Sequence, residues 1–213
     1  MLTEGYLEQN ARWPQVGRHI LAQYDDESII VYQAYRPAIG HFAARRGYFG
    51  EGFSLERMSW IKPNFLWMQY RSGWSQKEGQ EVTLAVRLKR AAYDSILGQA
   101  VHSSYIEEIY QSEERWRRAI ESSCVRLQWD PDHAPDGSKQ ERRAVQLGLS
   151  GSVLASYARE WILEIEDITD FVKQQYEYVK ARDYVHLVVP REMVYPVEDM
   201  VVAERLGIAK YSR

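Results

Sequence analysis

Two glutamines stand inside apolar stretches of strand-like composition: Gln33 in "SIIVYQAY" and Gln146 in "RRAVQLGLSG". A buried amide without hydrogen bonds costs roughly 1–3 kcal/mol. A ligand can supply those partners, and so can a neighbouring backbone. Between the two glutamines in sequence lies "RMSWIKPNFLWMQYRSGW", Arg57 to Trp74, with three Trp, a Phe, a Tyr and two Met among three positive charges. Rings of this kind line ligand sites as well as cores. Lys62 precedes Pro63 at the expected start of a helix, where free N–H groups favour anions. A phosphate there would meet backbone donors and an ammonium together; the plainer alternative is a solvated lysine. Trp60, Tyr70 and Trp74 offer faces for a base or nicotinamide ring, although core packing claims some of them. The chemistry this set suits is the binding of an anionic, aromatic ligand, with Arg71 as a second cation.

Other signals are weaker. His19, His41, His102, His133 and His186 are scattered and show no metal-pair spacing. Cys124 reads as a small buried apolar group. The carboxylates of "EIEDITD" fit a solvated helix better than acid–base work. No phosphate-binding glycine motif of the P-loop or dinucleotide type occurs.

The elements that must position these residues follow from patterning. In an extended "VYQAYR", Gln33 and Tyr35 share one face, with Tyr32 and Ala34 on the other. Ser28 to Tyr35 has the β-branched and aromatic run of a buried strand. Pro37 to Arg46 reads as a helix closed by Gly47, and Pro63 to Ser72 as a second one stopped by Gly73. Apolar residues cover most of that second helix, so it should be wedged between other elements. Glu81 to Arg90 alternates as a half-buried strand. Residues 91–121 read as helical with breaks near Gly98 and Ser103-Ser104, and Cys124 to Pro131 and Arg142 to Gly151 as strands. "DHAPDGSKQER" has the turn chemistry of a mobile loop. Arg18 to Tyr24 reads as a short helix, and Ser152 to Arg182 as one long helix or two with a break near Asp167–Asp170. Residues 1–17 read as a loosely tied arm. The expectation is a single α+β domain over 1–213 with a central curved mixed sheet flanked by helices.

At 213 residues with 45% apolar content, one large domain with a sizeable core is expected. The net charge of −3 gives no general pull toward nucleic acid or anionic membrane, although a local basic groove remains open. A lone cysteine fits a reducing, cytoplasmic setting. No signal peptide pattern or apolar run of membrane-spanning length is seen.

The blocks Tyr32-Gln-Ala-Tyr35, Met58-Ser-Trp-Ile-Lys-Pro-Asn-Phe-Leu-Trp-Met68 and Tyr70-Arg-Ser-Gly-Trp74, with Gln128-Trp-Asp-Pro131 and Gln146-Leu-Gly-Leu149, resemble the domain-of-unknown-function family DUF4291 over roughly residues 15 to 190. The element order is more distantly similar to single-domain ADP-ribosyltransferases. That likeness implies an ADP-ribosyltransferase-like fold and NAD as the cofactor. It assigns Gln33 and Gln146 to the catalytic positions, Tyr35 and a stacking Trp60 or Tyr70 to nicotinamide, and Lys62 or Arg71 to the diphosphate. Gln146 stands where such enzymes carry Glu, and a neutral amide cannot offset developing positive charge; Glu51, Glu56 or Asp130 could serve instead. The alternative is a non-catalytic nucleotide or nucleic-acid binding module in which Lys62, Arg71, Arg87, Arg142 and Arg143 meet phosphates.

Overall fold

The computed structural model describes residues 1–208. The chain begins with strand β1 (Thr3–Gly5), helix α1 (Tyr6–Arg12), and the two-residue strands β2 (Gly17–Arg18) and β3 (Leu21–Ala22). There follow β4 (Ser28–Tyr35), α2 (Pro37–Arg46), β5 (Ser59–Ile61), α3 (Phe65–Ser72) and β6 (Val82–Lys89). Then come α4 (Arg90–Gln99), β7 (Ala100–His102), α5 (Glu107–Tyr110) and α6 (Glu113–Ser122). The long strands β8 (Val125–His133) and β9 (Lys139–Leu149) form a hairpin. Helix α7 (Gly151–Ser156) runs into a π-helical turn at Tyr157–Trp161, followed by β10 (Ile162–Asp167) and α8 (Thr169–Ala181). The described chain ends with β11 (Val188–Pro190), β12 (Met193–Val194) and α9 (Met200–Leu206).

Strands β10, β6 and β4 form one antiparallel set. Strands β5, β9, β8 and β7 form a second, mixed set in which β5–β9 and β9–β8 are antiparallel and β8–β7 is parallel, with β2 also parallel to β9. A short bridge unites them. Tyr32 N–H donates to the Lys62 carbonyl at 2.6 Å, and Lys62 N–H donates back to Tyr32 at 3.2 Å. The result is one curled mixed sheet in the order β10–β6–β4–β5–β9–β8–β7, within a single α+β domain. Its concave face carries Val31, Leu84, Val86, Ile61, Leu127 and Leu147 against Ala43 of α2, Ile96 of α4 and Leu154 of α7. On the other face, Ile30, Tyr32 and Ala85 meet Phe65 and Leu66 of α3 and Val172 of α8. Gly40 lets α2 lie directly on β6, since a Cβ there would fall 2.5 Å from the Val82 side chain.

Strand β4, helix α2 with Gly47 at φ 74°, and helix α3 with Gly73 at φ 57° lie where local signals put them. Other expectations are corrected. Residues 1–17 are no loose arm: β1 pairs with β11, and Tyr6, Gln9 and Trp13 are buried. The segment 18–24 is extended rather than helical, because Leu21–Ala22 pair with Val194 and Met193. Strand β6 is buried on both faces because α3 and α8 cover the side expected to be wet. The turn-rich segment after Pro131 closes the β8–β9 hairpin, with Ala134 N–H bonded to the Ser138 carbonyl at 2.9 Å. Residues 162–167, expected within a helix, are a strand because their backbone pairs with Leu84–Leu88.

Beneath the hairpin, Arg142 and Asp132 form an ion pair with both side chains 1% exposed. The guanidinium also lies over the Trp13 ring at 4.9 Å. Removing one member leaves a buried charge uncompensated. Arg142→Ala should therefore cost about 3–5 kcal/mol, read by chemical denaturation, whereas Arg142→Met with Asp132→Leu should recover most of that loss.

Candidate functional site

Backbone alternation along β4 and β5 sends the predicted residues in two directions. Gln33 faces the concave core beside Ser59, because both belong to the face that carries Val31 and Ile61. It is 2% exposed. Its Nε2 lies 2.8 Å from the Tyr35 hydroxyl, 2.8 Å from Ser59 Oγ and 3.2 Å from the Trp60 carbonyl, while the Tyr157 hydroxyl donates to Oε1 at 2.5 Å. Tyr35 and Ser59 share a further hydrogen bond at 2.7 Å. The neighbouring protein answers the amide's demand for partners in full. Gln33 ties β4 to β5 and to the π-turn, and Tyr35 packs edge-on against Phe49 and Phe53. Burial pushes the Tyr35 phenol well up, so it is a neutral hydrogen-bonding group.

The opposite face gathers a second polar set. Trp60 pairs across to Gly148, and Gln146 lies two residues along the same side of β9. Gln128 stands directly opposite Gln146 in the β8–β9 ladder. Both amides converge on one carboxylate: Gln146 Nε2 donates to Asp130 Oδ2 at 2.8 Å, and Gln128 Nε2 to Oδ1 at 2.9 Å. Trp60 rests flat over the β9 backbone because Gly148 has no side chain; a Cβ there would sit 3.0 Å from the indole and 2.5 Å from Met58 Sδ. Lys62 follows Trp60 by two residues and shares its face. It is 6% exposed, and no hydrogen bond or ion pair of its Nζ occurs among the described residues. Burial above all, and then the positive charge of Arg71, lower its ammonium to about 7, with Asp130 pulling the other way.

The sequence-predicted residues therefore separate. Trp60, Lys62 and Gln146 share the outer face, and Arg71 on α3 is close enough to act on Lys62 electrostatically. Gln33 and Tyr35 lie behind them in the core, so the two glutamines do not converge. Tyr70, 44% exposed, stacks with Trp67 and His133 over the hairpin. Trp74 is buried against Phe65 and Tyr176. The start of α3 is also committed: Phe65 N–H donates to Glu192 at 2.7 Å and Trp67 N–H to Asn64 at 2.7 Å. Those N–H groups are taken, so Lys62 and Arg71 would have to hold an anion without them. The cations of the nucleic-acid alternative are dispersed, with Arg142 buried on Asp132 and Arg87 beside Glu164 and Asp25. One cavity of about 1000 Å³ lies elsewhere, between Trp13, Pro196 and Met200. Asp130, which sequence alone suggests only as a substitute acid, stands two residues from Gln128, and that spacing is the signal that places both on one face.

The model of the family described as "Domain of unknown function (DUF4291)" matches residues 19–195, and the chain belongs to that family. A search among curated proteins finds no match. Among the described residues, no helix is long and apolar enough to cross a membrane.

Two outcomes follow from this geometry. Gln33→Leu strands the Tyr157 hydroxyl in the core and should cost about 1–3 kcal/mol in denaturant titrations. For Lys62 the folded ammonium is lowered, so the unfolded chain binds a proton that the folded chain lacks between about 7 and the ordinary lysine value of 10.5. Stability contributed by this position thus falls as pH drops through that window. Lys62→Met should raise Tm at pH 7, and the gain should shrink as pH is raised toward 10.5.

Proposed function

We propose that the outer-face cluster binds NAD or a related nucleotide, and that the protein is an ADP-ribosyltransferase-like enzyme in which Asp130 takes the carboxylate role. The observation that carries this reading is the Asp130 carboxylate gripped by Gln128 and Gln146, beside a buried lysine and an arginine. The donor set fits the ligand class. Lys62 and Arg71 suit a diphosphate, the Trp60 indole suits an aromatic ring, and Asp130 suits ribose hydroxyls. When bound, NAD supplies a glycosidic bond to a cationic leaving group.

The residues' own contributions follow from position. Two amides hold both oxygens of Asp130, fixing the direction of its negative charge without neutralising it. A preorganised carboxylate of this kind stabilises positive charge developing at a sugar carbon, which a glutamine at 146 alone cannot do. Gln146 is thereby a positioning residue. Gln33 supports the site from behind by locking β5, with no contact to ligand. Lys62 gains a proton as an anion approaches, so affinity for a diphosphate falls as pH rises above about 7.

Calorimetric titration with NAD, together with chromatography for released nicotinamide, tests the reading. Binding accompanied by proton uptake at pH 8 is expected, with nicotinamide release. Asp130→Asn should reduce release by about a hundredfold or more while binding persists. Lys62→Ala should weaken binding by roughly tenfold. Binding without release leaves a nucleotide-binding module, and no binding at millimolar NAD removes the proposal.

A further inference from the structure

The Lys62 amine has a combination of surroundings that phosphate binding alone does not require. It projects from a strand held on both edges, through the Tyr32 bridge on one side and the β9 ladder on the other. No hydrogen-bond partner of its Nζ, donor or acceptor, occurs among the described residues, so neither its N–H groups nor its lone pair is tied to a neighbour. The positive charge of Arg71 opposes its protonation and the Asp130 carboxylate favours it. Asp130 is held by Gln146, the residue next to Leu147, which pairs with Ile61 in the β9 ladder. An unbonded, largely buried amine among half-buried polar groups, with a cation and an oriented carboxylate acting on its charge, is the arrangement of a nucleophile.

We infer that Lys62 captures the aldehyde of a phosphorylated sugar as an imine, with Arg71 reading the phosphate. The inference rests on the same cluster as the nucleotide reading but not on its glycosidic bond. Nζ attacks the carbonyl carbon and forms a C–N bond, while the carbonyl electron pair moves to oxygen. The nitrogen gives up a proton, which Asp130 can relay to that oxygen. The resulting carbinolamine loses water as the nitrogen lone pair forms C=N. One amine and one aldehyde become one imine and one water, with no oxidant or reductant. In the nucleotide reading, the open-chain form of a released ADP-ribosyl group is a member of this substrate class.

Ribose 5-phosphate with cyanoborohydride, which reduces an imine to a stable secondary amine, is the probe; unphosphorylated ribose is the control. Peptide mapping of the wild-type chain should show Lys62 modified at least about tenfold faster than the exposed Lys77 and Lys173 near neutral pH, since ordinary lysines there are almost wholly protonated. Labelling by ribose should be slower. Arg71→Ala should erase the difference between the two sugars, and Lys62→Arg should lose the adduct without losing the fold by circular dichroism. Lys62 labelling no faster than Lys77 and Lys173 overturns the inference. Equal labelling by ribose and its phosphate overturns the substrate class. NAD carries no free aldehyde, so success or failure of nicotinamide release is read separately from either result.

Discussion

The three residues Ser59–Ile61, with Lys62 behind them, are the joint on which the molecule depends. Strand β5 pairs with β9 along its length and passes to β4 through two hydrogen bonds between Tyr32 and Lys62. Without it, the β4–β6–β10 and β9–β8–β7 sets would be separate sheets with unpaired edges. Pairing on both sides fixes the strand's rotation, and alternation does the rest. Ser59 and Ile61 turn inward, while Trp60 and Lys62 turn outward.

That rotation explains how one strand serves two unlike polar clusters. Inward, Ser59 joins Gln33, Tyr35 and Tyr157 in a network whose groups satisfy one another. Such a network is tolerable in an apolar core because none of its amide groups is left over. Outward, the accounting is incomplete. Asp130 is satisfied by two amides, yet Lys62 is largely removed from water and its Nζ forms no hydrogen bond or ion pair among the described residues. Burying an amine this way opposes folding, and proteins keep such arrangements at functional sites more often than at random positions. The contrast between a closed network and an open one, a single strand apart, is the reason to place function on the outer face.

Much of this was legible in local sequence. The run 28–35, the Gly47 and Gly73 helix stops and the Gln128–Asp130 spacing all depend on neighbours within a few residues. The strands at 17–18, 21–22 and 162–167 were not legible, because each exists only through pairing with distant backbone. The same limit hid the separation of the two glutamines. Alternation tells which residues share a face within one strand. It does not say how Gln33 in β4 faces relative to Gln146 in β9 until β5 is known to lie between them.

A polar residue in an apolar strand therefore poses one question with two answers, and Gln33 and Gln146 illustrate both. Gln33 meets hydroxyls and a carbonyl drawn from β4, β5 and the π-turn, so its amide is a structural bond. Gln146 meets a single carboxylate oxygen on its strand neighbour and leaves its own carbonyl without a protein donor among the described residues. The first amide fastens the sheet from within. The second aims a charge outward, on the face that carries the Lys62 amine, and keeps bonding capacity that a ligand can use.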